Sequence, residues 1–184
     1  VSRGEEEILI DAGTFSYSDP AWRNKFRGSA AHNTVRIAGR DQAVPGGPFR
    51  WNLKPDVHMD QWDAGQGIVV ATCSYAGFRH TRRVQLREER LSISDKIEGP
   101  PGDWLIEQFW HPGGTAVRDL EGLRIGSQAR LVWGNGSTEE ILKGGDYGWR
   151  SRGFGHKEPA TVVRLSRTGS LPMSFEAALD FKLR

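Results

Sequence analysis

Gly67-Ile-Val-Val-Ala-Thr-Cys-Ser-Tyr75, Phe78-Arg-His-Thr-Arg-Arg-Val-Gln-Leu86 and Arg90-Leu-Ser-Ile-Ser-Asp-Lys-Ile97 follow one another with only turn-length gaps. Arg82-Arg-Val-Gln-Leu86 and Leu91-Ser-Ile-Ser-Asp95 alternate, which gives each run one face for a core and one for water. Val57–Asp63 precedes them, and Asp63-Ala-Gly65 and Glu88-Glu89 carry turn chemistry. Strands joined this tightly form an antiparallel meander. The start of the Phe78 strand adds His80 and three arginines. These either face an anionic ligand or pair across strands with Asp and Glu.

Downstream, Gly99-Pro-Pro-Gly102 is a rigid turn before Trp104-Leu-Ile-Glu-Gln-Phe-Trp-His111. Both faces of that run are largely apolar, as in a central strand covered on both sides, and His111 reads as a hydrogen-bonded packing residue. Thr115–Asp119, Leu123–Ile125 and Ala129–Trp133 are three further strands, Glu139–Lys143 reads as a polar connector, and Thr161–Arg167 and Ser174–Phe181 close the system. Upstream, Glu6–Ile10 and Thr34–Ala38 read as strands, and Ala38-Gly-Arg-Asp41 as a hairpin turn. Asp19-Pro20 opens a helical turn over Ala21–Phe26, with Pro at the first position and Asp as cap.

The pattern is all-β: an antiparallel, multi-stranded β-sandwich of the supersandwich type, with Gly/Pro-rich loops at one end. Composition agrees. With 184 residues, 37% hydrophobic, 23 Gly and 9 Pro, the chain suits a single domain of short strands over 1–184. A net charge of +2 gives no argument for nucleic acid, although locally grouped arginines can meet an anionic polymer. The single cysteine, Cys73, excludes an intrachain disulfide and reads as a buried strand thiol. No apolar run is long enough for a membrane span, and no signal peptide is visible at Val1. Val1-Ser-Arg-Gly4 reads as the end of one strand and a turn, so the natural start is expected upstream of Val1.

Two Gly-rich loops carry aromatic and basic side chains. Residues 43–55 hold Phe49-Arg-Trp51, and residues 144–158 hold Tyr147, Trp149, Arg150, Arg152, His156 and Lys157. Sugar C–H faces pack on aromatic rings while arginines take acidic groups, so such loops suit carbohydrate; the same aromatics can instead plug the end of the sandwich. A carboxylate and an imidazole stand at the ends of short apolar runs, Asp11 after Ile8-Leu-Ile10 and His32 before Val35. Such a pair can share a metal ion or a proton, or serve as capping groups.

Ile10-Asp-Ala-Gly-Thr-Phe-Ser-Tyr17, Trp22-Arg-Asn-Lys-Phe-Arg27, Ala31-His-Asn-Thr-Val35 and Gly39-Arg-Asp-Gln42 follow in an order that resembles the heparinase II/III-like polysaccharide lyases. Gly77–Arg83, Glu107-Gln-Phe-Trp-His111 and Tyr147–Trp149 with Gly155–Pro159 extend the likeness over nearly the whole chain. It implies the C-terminal β-rich domain of an enzyme that cleaves uronic-acid polysaccharide by β-elimination. An N-terminal α-helical barrel preceding Val1 would supply the catalytic groups and an export signal to the periplasm or exterior. The β-domain of that family carries a metal site, often zinc, built from an Asp and two His. Asp11 and His32 match two of these ligands; the third belongs to a His-x-His segment expected before Val1. No catalytic residue is assigned within 1–184, which alone is expected to be inactive with an incomplete metal site. Asn33, Trp51, Arg27, Tyr17, His80 and Trp149 are the expected contacts to an acidic polysaccharide such as heparan sulfate, alginate or a bacterial exopolysaccharide. A non-catalytic carbohydrate-binding module and a purely structural β-sandwich are the alternatives.

Overall fold

The computed structural model describes residues 1–181. Two antiparallel sheets dominate it. The larger has eight strands, in the order Ala116–Arg118, Leu123–Ile125, Ala129–Trp133, Met173–Asp180, Arg90–Glu98, Phe78–Arg87, Ile68–Tyr75 and Asp56–Asp63. The smaller has four: Thr138–Lys143, Thr161–Ser170, Asp103–Trp110 and Val35–Ile37. The meander legible in the sequence is half of the large sheet, with Tyr75 opposite Phe78 and Arg87 opposite Arg90 at its hairpin ends.

The sheets bury two apolar clusters between them. In one, Leu123, Ile125, Leu131 and Leu179 of the large sheet pack on Trp110, Val163 and Leu165 of the small sheet, with Ile8 and Leu9 closing the end. In the other, Phe78, Ile97 and Phe175 meet Val35, Ile37 and Ile106. Each large apolar side chain removed from water contributes about 1.5–3 kcal/mol before conformational entropy is subtracted.

Alternation places a polar residue between the clusters on each sheet. Ile93, Asp95 and Ile97 point inward from one, and Ile106, Gln108 and Trp110 from the other, so Asp95 faces Gln108 at the centre. Asp95 is fully buried and satisfied by four donors: Arg82 Nε and Nη2 at 2.6 and 2.7 Å, His80 at 2.6 Å and Gln108 Nε2 at 2.6 Å. Gln108 Oε1 in turn accepts from Trp110 Nε1 at 3.0 Å. Burial by itself would raise the Asp95 carboxyl, yet the Arg82 guanidinium and His80 hold it well below the usual carboxylate range.

Three segments differ from their sequence reading. Thr138–Lys143 is an edge strand, not a connector, and pairs with Thr161–Ser170 so that Glu140 stands opposite Arg164. Alternation is weak there because neither face is fully covered. Residues 144–158 are not loop alone: Trp149–Gly153 and His156–Pro159 form a bulged hairpin. Glu6–Ile10 is a strand only at Glu6–Glu7, although Leu9 makes an isolated bridge to Pro112. Residues 38–41 turn as expected, with Ala38 and Gly39 both at positive φ and Arg40 N donating to Ile37 O at 2.9 Å. No described helix is long and apolar enough to cross a membrane.

Candidate functional site

Asp11 leaves the sandwich where Ile10 N donates to His111 O at 2.9 Å. Its Oδ1 accepts from Gly13 N at 3.0 Å, closing a local turn that exposes the other oxygen. His32 follows the single turn Ser29–Ala31, and its Nδ1–H donates to Asp11 Oδ2 at 2.6 Å. The side chains of His32 and Asp11 are 38% and 65% exposed, so the pair sits at a rim. The hydrogen bond from His32, followed by the Gly13 amide, keeps the Asp11 carboxyl below its ordinary value.

Asn33 fixes both halves of this site. Its Nδ2 donates to Ile10 O at 2.7 Å and its Oδ1 accepts from His111 N at 2.8 Å, riveting the Asp11 segment to the end of the central strand. The Asn33 carbonyl accepts from Arg82 Nη1, which links the rim to the Asp95 cluster. Asn33 was expected to touch polymer; its amide is spent on the backbone. His80, expected there too, is 4% exposed and donates to Asp95 inside the sandwich. His111 is buried with Nε2 donating to Ala30 O at 3.0 Å. Burial pushes its pKa down to about 4.

A carboxylate oxygen and an imidazole nitrogen are donors that zinc accepts. Because Nδ1 carries the proton given to Asp11, Nε2 of a neutral His32 holds the lone pair that a metal would take. The count falls short: among the described residues no group of three or more His, Cys, Asp or Glu is arranged to hold a metal, whereas zinc takes at least three protein ligands.

Around the helix that shares a cavity lining with Ala12 and Ala31, the chain gathers several aromatic residues. The helix Pro20–Arg27 is capped by Asp19 Oδ1, which accepts from Trp22 N at 3.1 Å, starts on Pro20 and carries Lys25 and Arg27 in its last turn, where cations complement the helix dipole. It buries Phe26, which stacks on Phe15 with centroids 6.0 Å apart. Its outer face gathers the two Gly-rich loops. Arg27 lies over the Trp51 ring at 4.8 Å, Arg23 over Tyr17 at 4.9 Å, and Trp22 meets Trp149 edge-on at 4.9 Å. Tyr17 also contacts Phe49 at 5.0 Å and Phe154 at 5.4 Å, and all three rings are exposed.

Arg23 and Arg27 form no ion pair among the described residues; they donate instead to Pro48 O and, for Arg27, to Asn24 Oδ1. Loss of water around Arg27, and then the nearby Arg23 charge, push its guanidinium pKa down. Four of the six expected polymer contacts, Tyr17, Arg27, Trp51 and Trp149, are thus collected around one helix. Arg23 and Phe154 had not been singled out. The Arg23/Arg27 spacing of i and i+4 was the signal that placed both cations on one helix face.

A heparinase III gene product solved with methylated lysines shares the fold at a TM-score of 0.71 and 15% identity, over 94% of this chain and 27% of that one. The heparan sulfate lyase HepC from Pedobacter heparinus gives 0.69 and 17%, over 96% and 29%. The chain therefore spans less than a third of these neighbours. No curated protein matches it. The family model described as "Heparinase II/III-like, C-terminal" matches residues 1–177, and the chain belongs to that family.

Proposed function

We propose that this chain is the β-domain of a polysaccharide lyase and forms the wall of a cleft that holds an acidic, uronate-containing polymer. The observation that carries this reading is that Arg23 and Arg27, which form no ion pair among the described residues, lie over Tyr17 and Trp51 on a helix that shares a cavity lining with Ala12 and Ala31, the chain neighbours of the exposed Asp11–His32 pair. Sugar rings pack on the exposed aromatics while the guanidinium groups meet carboxylate or sulfate. Asp11 and His32 are taken as two of the donors to a zinc ion completed by residues outside 1–184. An α-helical domain is the partner that closes the cleft and brings the catalytic groups. The whole protein acts in the periplasm or outside the cell, where such polymers are met.

The test uses the whole protein with heparan sulfate and alginate, read by the ultraviolet absorbance of the unsaturated sugar that β-elimination leaves. Product with either polymer is expected, and Arg23→Gln/Arg27→Gln should raise KM more than it lowers kcat. Binding without product would favour the second reading, a carbohydrate-binding module, which the exposed Tyr17, Phe49 and Phe154 rings also suit. Absence of both would overturn the assignment.

A further inference from the structure

The turn that carries the chain from Ala129–Trp133 of the large sheet to Thr138–Lys143 of the small one reads Gly134-Asn-Gly-Ser137. It holds the only Asn-Gly step in the chain, because Asn24, Asn33 and Asn52 are followed by Lys, Thr and Leu. The side-chain amide of an asparagine is a weak electrophile, and the backbone nitrogen of the next residue can attack it to close a five-membered ring. A side chain on that next residue stands in the way. Gly136 has none, and at φ +89° it holds a left-handed conformation that other residues rarely adopt.

The surroundings favour this attack. Asn135 and Gly136 are both exposed, so water and base reach them. Gly134 N is engaged by Glu176 O at 2.9 Å, whereas Gly136 N donates to no acceptor among the described residues. Arg167 donates through Nη2 to Asn135 O at 3.1 Å and through Nε to Gly136 O at 3.2 Å. Asn135 O belongs to the same peptide unit as Gly136 N. A cation on that oxygen draws electron density from the nitrogen and stabilises the amide anion that must attack. Arg167 is fixed in this position, with Nη1 donating to Ser174 O at 3.2 Å and the guanidinium over the Phe175 ring at 4.9 Å. Every acceptor it has among the described residues is a backbone carbonyl, so it carries an unpaired charge.

We propose that Asn135 is a site of spontaneous modification, converted through a cyclic imide to aspartate and isoaspartate with Arg167 as the promoting group. Base takes the Gly136 amide proton, the nitrogen bonds to Asn135 Cγ, and the Cγ–Nδ2 bond breaks as Nδ2 takes up a proton and leaves as ammonia. Water then opens the imide at either carbonyl, with nothing oxidised or reduced. One opening restores the ordinary main chain with an aspartate; the other routes the main chain through the side-chain carboxyl and lengthens it by one carbon. Both place a carboxylate beside Arg167, which had none. The link between the two sheets thereby gains a negative charge as the molecule ages.

The experiment holds the full chain at mildly alkaline pH for days, digests samples with trypsin and weighs the 131–143 peptide, in which Asn135 is the sole asparagine. Two products are expected to accumulate, both heavier by the exchange of NH2 for OH and separable by chromatography, while the peptides with Asn24, Asn33 and Asn52 stay unchanged. Hydroxylamine added during the incubation should split the chain between Asn135 and Gly136, the mark of the imide, and Asn135→Gln should abolish both signals. Arg167→Gln keeps donors but removes the charge, and should slow conversion about tenfold. Should that variant not fold, added salt supplies the second reading: screening of Arg167 should slow the chain and leave a synthetic 131–143 peptide unaffected. An unchanged 131–143 peptide with no hydroxylamine cleavage would overturn the site. Conversion as fast in the folded Arg167→Gln variant, or a chain as indifferent to salt as the peptide, would overturn the part given to Arg167.

Discussion

Two carboxylate–imidazole pairs in this protein have the same 2.6 Å separation and opposite surroundings. His80 and Asp95 are 4% and 0% exposed, with a bidentate arginine and a glutamine completing the shell. His32 and Asp11 are 38% and 65% exposed, and among the described residues their side chains have only the Gly13 amide as a further polar contact. Distance therefore does not distinguish the two pairs. The inner carboxylate has all its acceptor capacity consumed by protein, so it holds two sheets in register. The outer pair keeps spare capacity at a rim and can take a ligand.

The largest test of this contrast is Asp95→Ala. Removing one partner of a buried ion pair leaves Arg82 and His80 uncompensated between the sheets, and about 3–5 kcal/mol of stability is expected to vanish in urea denaturation. A loss below about 1 kcal/mol would mean that the central cluster is not the clamp described.

The second buried imidazole sharpens the contrast, because His111 has a carbonyl for a partner where His80 has a carboxylate. Its pKa is lowered from 6.5 to about 4, so the folded protein binds its proton less readily than the unfolded chain. The sign follows: this stabilisation is complete above pH 6.5, is lost as pH falls toward 4, and is worth on the order of 3 kcal/mol across that window. His111→Gln should flatten the pH dependence of the urea midpoint over that range.

Smaller still is His32→Ala. An exposed pair contributes about 0–1 kcal/mol, so the melting temperature should move by a few degrees or less. Loss of polymer binding or turnover without loss of stability is the expected pattern, the reverse of Asp95→Ala. Smallest is chelation of the chain alone. Two donors do not hold zinc tightly, and a chelator should leave its melting temperature unchanged; a marked drop would show a ligand set larger than Asp11 and His32.

The sheets were legible because half-buried antiparallel strands write their alternation into sequence, as Leu91–Asp95 does. Thr138–Lys143 was not, since an edge strand lacks a covered face to impose a pattern. Tyr17, Trp51 and Trp149 could be chosen by side-chain type and loop chemistry, whereas their meeting on one helix depends on contacts over long sequence separations. His80 looked identical to His32 in local sequence terms. Only the inward phase of Phe78–Arg87, fixed by Phe78 against Ile97 in the second apolar cluster, separates them.

The eight-stranded sheet stops at Asp56–Asp63, a strand exposed along most of its length that displays Val57, Met59 and Trp62. A free edge with apolar side chains invites another molecule to add a strand. Asp56, Asp60 and Asp63 line this one, and the register shifts at Asp60, so repulsion and a kink guard it against fibril-like stacking. Replacing those aspartates by alanine would remove that guard, and solubility rather than folding would become the property that limits handling of the protein.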